Sequence, residues 1–468
     1  MSNKTFTFGN NLKKWAYALT AVGIVGMILS FFFDKTAHHN RFWANLLLNT
    51  YYFAGIAVTG VFFITAHQLG YGGWHTVFKK IPIAMSRFLF VAFILFLVIV
   101  AGMWIAPSSL YSHWADPHHV DSIVSGKSPF LTRFWYTVGV LGFFGLWALF
   151  AYLLPKNFVS IKNWKEYSKA KKLSAAFLLI FGVSSSILSW WVIMSLDPHW
   201  YSTLFGWYNL ASYICAGLAM MILIIIGLKQ AGYMPKVHID HIHDLGKLMF
   251  GFSIFWTYLW FSQFMLIWYA NVPEATVWFN KRFDVGLFKF LFYATLVINF
   301  LLPLLALMSR DAKRKMLTMA FVSVMVIFGH YLDFFYMVMY EPMAKVEHAE
   351  AHGEEHALLN AETVLYAQNT ATETVEQNVV ETHAVVANEE NTVHADASAE
   401  ANHATVEHGD AHGHEKESKS YARLGLIELM FFAGFLGIFL LLTFTGLDGQ
   451  ELEIEEDPFL KESLNHHI

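Results

Sequence analysis

Long apolar runs separated by short polar loops repeat along almost the whole chain. A helix rising about 1.5 Å per residue needs about 20 mostly apolar residues to cross a hydrocarbon core of roughly 30 Å. Ten runs reach that length: 14–33, 42–67, 82–104, 130–154, 170–196, 204–228, 245–269, 285–308, 315–340 and 422–446. They predict an all-α polytopic membrane protein. The first dozen residues are polar and no small-residue cleavage site follows Phe33, so the first run reads as an uncleaved anchor rather than a signal peptide.

Composition agrees with that pattern and narrows the chemistry. The 468 residues are 56% hydrophobic and only 14% charged, against about 25% charged in ordinary soluble chains. Soluble enzyme, nucleic-acid binder and secreted disulfide scaffold are all excluded or disfavoured. The single cysteine, Cys215, rules out an intrachain disulfide and cannot ligate an iron–sulfur cluster or a Cys-rich zinc site. No C-x-x-C-H, Walker loop or dinucleotide fingerprint occurs.

Charge is distributed by side. Lys4, Lys13, Lys14, Lys79, Lys80, six lysines between 156 and 172, Lys229, Lys236, Arg310, Lys313, Arg314 and Lys315 fall in loops on one side. The other side has scattered cations such as Lys35, Arg41, Lys127, Arg133, Lys281 and Arg282. The positive-inside rule makes the first side cytoplasmic. The expectation is a bacterial inner-membrane protein with both termini, 1–13 and 447–468, in the cytoplasm. The core then runs over 14–340, and 422–446 is the tenth span.

The same count puts 341–421 outside. This segment is rich in Ala, Glu, Val, Thr and His, has no Trp and carries much of the acid behind the net charge of −5. Low hydrophobicity with excess acid predicts a low-complexity, weakly ordered insertion. His408, His412 and His414 could hold a transition metal, but a solvated insertion explains them without one.

Ionisable groups inside the span runs are the main functional candidates, because burying them in lipid is costly. In the ninth run His330 and Asp333 stand three apart, on one helical face. Helix rise puts His330 about 20 Å from the cytoplasmic edge. Such a pair can pass protons or can pin two helices together. Beyond the fifth run, Asp197-Pro198-His199-Trp200-Tyr201 offers a carboxylate and an imidazole beside aromatics that also suit an interfacial belt. The 111–121 loop adds His113, Asp116, His118, His119 and Asp121. At the cytoplasmic entry to the seventh run stand His238, Asp240, His241, His243, Asp244 and Lys247, which read as an interfacial loop or a proton-collecting surface. In that run Tyr258, Ser262 and Gln263 form a polar stripe suited to interhelical hydrogen bonds. A bis-histidine haem would need His67 and His330, whose depths differ by about 20 Å from helix rise. The chain is therefore expected to carry no redox centre of its own.

Three segments, 195–208, 241–268 and 329–335, resemble the NrfD/PsrC-like integral membrane subunits of alternative complex III, a bacterial quinol:cytochrome c (electron-carrier) oxidoreductase. Of the two paralogous subunits, the F type is the more similar. The resemblance spans the membrane core and implies two four-helix bundles, spans two to five and six to nine, flanked by spans one and ten. No internal sequence repeat supports that division. The resemblance also implies partners that carry the haems and iron–sulfur clusters: a multihaem c-type cytochrome, a monohaem cytochrome, an iron–sulfur protein and the sister NrfD-like subunit. Menaquinol as the complex's substrate, membrane lipid and a terminal oxidase supercomplex belong to the same expectation.

The leading reading is a cofactor-free subunit that scaffolds such a complex and conducts protons. The proton-path candidates are His330, Asp333, Asp197, His199, His241, Asp244 and Lys247. One competing reading is direct quinol binding in a pocket of Asp197, His199, Trp207, His330 and Asp333. The other is a secondary ion transporter, which usually shows broken spans in matched positions of two halves.

Overall fold

The computed structural model describes residues 5–34, 37–159, 161–343, 425–454 and 456–466. Contacts divide the chain into two units, Met1–Lys345 with Ala422–Ile468, and Val346–Tyr421. The second unit, with His408, His412 and His414, lies outside the described residues.

Among the described residues ten helices are long and apolar enough to cross a membrane: α1 Asn10–Phe33, α2 Asn40–Leu69, α3 Lys80–Ile105, α4 Arg133–Phe158, α5 Trp164–Leu196, α6 Leu204–Gln230, α7 Ile239–Ala270, α8 Gly286–Leu307, α9 Met316–Val338 and α10 Leu426–Leu447. Among the described residues no strand forms; the one β-bridge joins Thr5 to Glu451. In lipid each backbone group must be satisfied within its own element, which makes helices the outcome for these sequences. The apolar runs mark the spans to within a few residues, except where polar residues extend a helix past the lipid. Asn163 caps α5 by accepting from the backbone N–H of Lys165 and Glu166 at 3.1 and 3.0 Å. The helix therefore starts six residues earlier than the run.

Helices α2 to α5 pack on one another as one four-helix group, and α6 to α9 as another. The two groups meet along α2 and α6, the most enclosed spans, buried over 94% and 83% of their apolar windows. Gly55 lies against the Tyr213 ring at this seam, and Gly217 against Thr59. The α1 and α10 helices form a flanking pair, with α10 also resting on α2 and α3. This is the bundle division that the resemblance implied.

The flanking pair crosses where Gly23 meets Gly434. A methyl placed on Gly23 would come within 2.2 Å of the Gly434 Cα, so backbone touches backbone there. Gly434→Ala is expected to force the helices apart and cost about 1–3 kcal/mol by overpacking. A lowered unfolding temperature in detergent is the check; unchanged stability would mean that the crossing gives way freely.

Both termini sit at one end, the tail end. Phe6 donates its N–H to Gln450 O at 2.8 Å, and Phe8 donates to Asp448 at 2.7 Å. From there the C-terminal segment runs back beneath both bundles. Asp457 forms a buried ion pair with Lys79, Glu462 accepts from Gly73 N–H at 3.0 Å, and Ser463 donates to Trp74 O at 2.6 Å. Burial lowers the Lys79 pKa, and the Asp457 carboxylate opposes that shift.

Candidate functional site

The second bundle is crossed by polar groups at three levels. The middle level begins with Asp333 and His330 on α9, both fully enclosed. Asp333 takes donors from two neighbouring helices. Trp256 Nε1 on α7 and Ser212 Oγ on α6 each reach its Oδ2 at 3.0 Å. The Tyr208 hydroxyl, one turn before Ser212 on α6, donates to Oδ1. His330 does not touch the carboxylate; its Nδ1 lies 2.9 Å from the same Ser212 hydroxyl. Helical spacing alone put both groups on one face, but the structure inserts a hydroxyl relay between them. With Ser212 donating to Asp333, its lone pair is left to accept Nδ1–H from His330. That arrangement leaves His330 Nε2 as an acceptor, and it has no hydrogen-bond partner among the described residues.

Directly toward the tail end, α8 is disrupted. Pro303 has no N–H for the carbonyl four residues back, which belongs to Asn299. The span widens into a π turn at Val297–Leu301, and Ser253 Oγ donates to the freed Asn299 carbonyl. The Asn299 side chain presses on Gly329, where any Cβ would sit 2.1 Å from its Oδ1. Both atoms of this fully buried amide are without a partner among the described residues. Orphan polar groups at this depth are expensive. Asn299 therefore extends the polar level beyond His330.

The far-end level centres on Arg282, in the short helix Pro273–Asp284. It is 1% exposed. Its guanidinium lies 3.8 Å from the Trp278 ring centroid and 4.6 Å from that of Tyr340, and it donates to Trp278 O at 2.9 Å. Burial lowers its pKa, while Tyr336, Asp197 and Glu341 counter the shift. Asp197 lies beside this group, 3.6 Å from Lys281, which also comes within 3.9 Å of Glu341. A cavity of about 10 Å³ is lined by Gln263, Tyr336, the Tyr208 that bonds Asp333 and the Trp278 that faces Arg282. That is close to the space one water requires.

The tail-end level corrects the interfacial-loop reading. Helix α7 already starts at Ile239, so Asp240, His241, Asp244 and Lys247 are helical and the first three are buried. The C-terminal segment covers them. His466 Nε2 lies 2.7 Å from Asp244, whose other oxygen takes Lys247 at 2.6 Å. His241 Nε2 meets Ser463 O at 3.1 Å, and Asp240 pairs with Arg314 at 2.7 Å. His466 is more than two hundred residues from Asp244 in sequence, so no local motif could announce it.

The structure thus joins His330 with Asp333, joins His241, Asp244 and Lys247, and sets Asp197 beside Arg282. His199 stands apart, 2.5 Å from Asp121 at the exposed far surface. A backbone N–H from Val124 and His199 both hold the Asp121 pKa below its ordinary value. Trp207 is 53% exposed and points away from the centre; the inward residue is Tyr208. The five residues of the quinol alternative therefore do not line one pocket. Likewise Tyr258 is 63% exposed, and the inward polar residues along this part of α7 include Ser253, Trp256 and Gln263. Neither Ser212 nor Trp256 was singled out from the sequence, since a Ser and a Trp in an apolar run signal nothing without their partners. His67 belongs to a tail-end cluster, bonding Phe63 O at 2.8 Å with its ring 4.9 Å from that of His75. Its hydrogen-bond and ring partners among the described residues, Phe63, Trp74 and His75, are not those of His330, which are Ser212 and Trp256.

In the 106–121 loop, Asp116 accepts from Ser108 at 2.5 Å, from His118 N–H at 3.1 Å and from His119 at 3.1 Å. Ser108 first, and the His118 N–H next, lower its pKa to about 2. A carboxyl with a depressed folded pKa stabilises above its unfolded value near 4 and loses that contribution as pH falls toward 2. The loop is expected to open to acid-active protease over that window. Asp116→Asn should already be as open at pH 5 as the parent is near pH 2, and identical digestion of both forms at pH 5 would contradict the assignment.

No family model matches this chain, and no curated protein matches it. Among the described residues, no three His, Cys, Asp or Glu side chains gather to hold a metal ion.

Proposed function

We propose that this chain is a membrane subunit of a quinol-oxidising respiratory complex of the NrfD-like, alternative complex III kind. In this reading it scaffolds the complex and passes protons through its second bundle, while partner subunits hold the haems and iron–sulfur clusters. The observation that carries the proposal is the His330–Ser212–Asp333 relay, buried mid-span with donors from three helices.

Proton movement follows from the donor and acceptor inventory. Asp244, His466 and Lys247 collect protons at the tail end, which the lysine-rich loops mark as cytoplasmic. His330 Nε2 accepts a proton at the level of Asn299. Ser212 hands its own proton to Asp333 as it takes the Nδ1 proton of His330, which regenerates the hydroxyl and leaves His330 protonated on Nε2, so the imidazole and the hydroxyl must return to their starting proton positions before the next passage. Tyr208 leads on to Tyr336, and the Arg282 charge disfavours a proton resting there, which favours release near Asp197.

Direct quinol binding at this centre would need head-group room, and the adjoining space is about 10 Å³. A transporter of two matched halves would carry paired breaks. Here α8 breaks at Val297–Leu301, the third span of its bundle. In the first bundle the kink lies at Ser86 and Arg87 in α3, the second span.

Isolation of the tagged full chain from its native membrane tests the assignment. Co-migration with a multihaem cytochrome and an iron–sulfur protein, read by haem absorbance and mass spectrometry, is the expected result. A chain that migrates free of every cytochrome and iron–sulfur subunit would overturn it.

A further inference from the structure

At the far end of the first bundle, beside the 197–201 turn, lies a second cavity of about 310 Å³. It opens between the loop after Gly126 and the end of α5, with Lys127, Phe130, Trp190, Pro198, Trp200 and Tyr201 among its walls. Its side chains are donors set in apolar surroundings. Trp190 and Trp200 both line the cavity, and their indole N–H groups are buried without an acceptor among the described residues. An indole nitrogen can only donate, so each calls for an acceptor from elsewhere.

Lys127 supplies charge. Its ammonium bonds Pro198 O and lies 5.5 Å from the Tyr201 ring centroid. Among the described residues it has no ion pair. The nearest carboxylates are engaged elsewhere, Asp121 with His199 and Asp197 with Lys281. Desolvation lowers the Lys127 pKa, with Asp197 and Asp121 opposing from a distance. A bound anion would return what desolvation removes.

The ligand class follows by elimination. Among the described residues no carboxylate or imidazole lines the cavity. A quinol giving up its protons would find no side-chain base. A head group made of acceptors, carrying negative charge and attached to apolar tails, matches all three features. Lys and Trp at a membrane–water boundary are suited to that role.

We propose that this cavity binds the phosphodiester head group of an anionic membrane phospholipid. Lys127 contacts a phosphate oxygen, the indole N–H groups of Trp190 and Trp200 turn to the remaining acceptors, and the acyl chains lie along the apolar flank beside Phe130. The site uses none of His330, Ser212 and Asp333, so its failure would leave their relay untouched.

Native mass spectrometry of the purified full chain, washed in detergent and titrated with phosphatidylglycerol, tests the site. The expected result is one tightly retained phosphatidylglycerol, with affinity lowered about tenfold in Lys127→Gln, as for a lost charge-assisted hydrogen bond, and kept in Lys127→Arg. Trp200→Phe, which keeps a ring and removes the N–H, should weaken retention by a smaller factor. Melting curves of each variant separate lost binding from lost folding. Equal retention by a folded Lys127→Gln would overturn the proposal. So would displacement of the lipid by millimolar inorganic phosphate, or by a short-chain quinone.

Discussion

Asp333→Asn is expected to cut proton uptake per electron in the intact complex by about a hundredfold, the scale of losing a positioned acid–base group. The substitution keeps the shape of the side chain and most of its bonds. The amide oxygen can still take Ser212 and Trp256, whose donors stand 3.0 Å from Oδ2. The amide N–H can turn to Tyr208, whose hydroxyl then accepts instead of donating. Folding should therefore suffer by only about 1 kcal/mol. What disappears is the capacity to gain and lose a proton. Ser212→Ala should give a comparable loss by removing the hydroxyl that joins His330 to Asp333, and Ser212→Thr should restore it. Proton uptake in liposomes holding the whole complex, measured against electron flux, is the readout. Unchanged stoichiometry and turnover in Asp333→Asn would make the relay a structural hydrogen-bond cluster.

Glu428→Ala should be the most destabilising substitution at the edge of the core, at about 2–3 kcal/mol. Glu428 is fully buried at the far end of α10. Its Oε1 accepts from Arg41 Nε and Nη2 at 2.7 Å each, and its Oε2 accepts from Gly425 N–H at 2.9 Å, capping its own helix. Removing one partner of a fully buried pair costs about 3–5 kcal/mol. The Arg41 side chain keeps 32% of its surface exposed, which moderates the loss. The orphaned guanidinium and the uncapped helix end act together, since both depend on the same carboxylate. Thermal unfolding in detergent should show the drop, with Glu428→Gln falling between the two because the amide oxygen keeps one acceptor. A melting temperature within error of the parent would mean that α10 is held by its apolar contacts alone.

How far the site was legible depends on the kind of interaction. His330 and Asp333 stood out because ionisable groups are rare inside apolar runs, and their spacing of three put them on one face. Ser212, Trp256 and Asn299 did not stand out, because each is ordinary in such a run until another helix faces it. Trp207 and Tyr208 are neighbours in sequence, and only rotation about α6 decides which one meets Asp333. Asp244 carried no sign of His466, since nothing local links the start of α7 to the last residues of the chain.

Sequence alone determined that this is a helical membrane protein with ten spans, where each span falls, and which loops carry the lysines. Those properties follow from local hydrophobicity, length and charge, which a solvent as demanding as lipid enforces residue by residue. Tertiary structure decided the division into two bundles, the hydroxyl between His330 and Asp333, the π turn that exposes Asn299, and the tail over His241 and Asp244. These depend on the angle at which each helix faces its neighbours, and composition does not encode that angle. Packing sets it, through contacts such as Gly23 on Gly434 and Gly329 on Asn299 that exist only when every helix is in place.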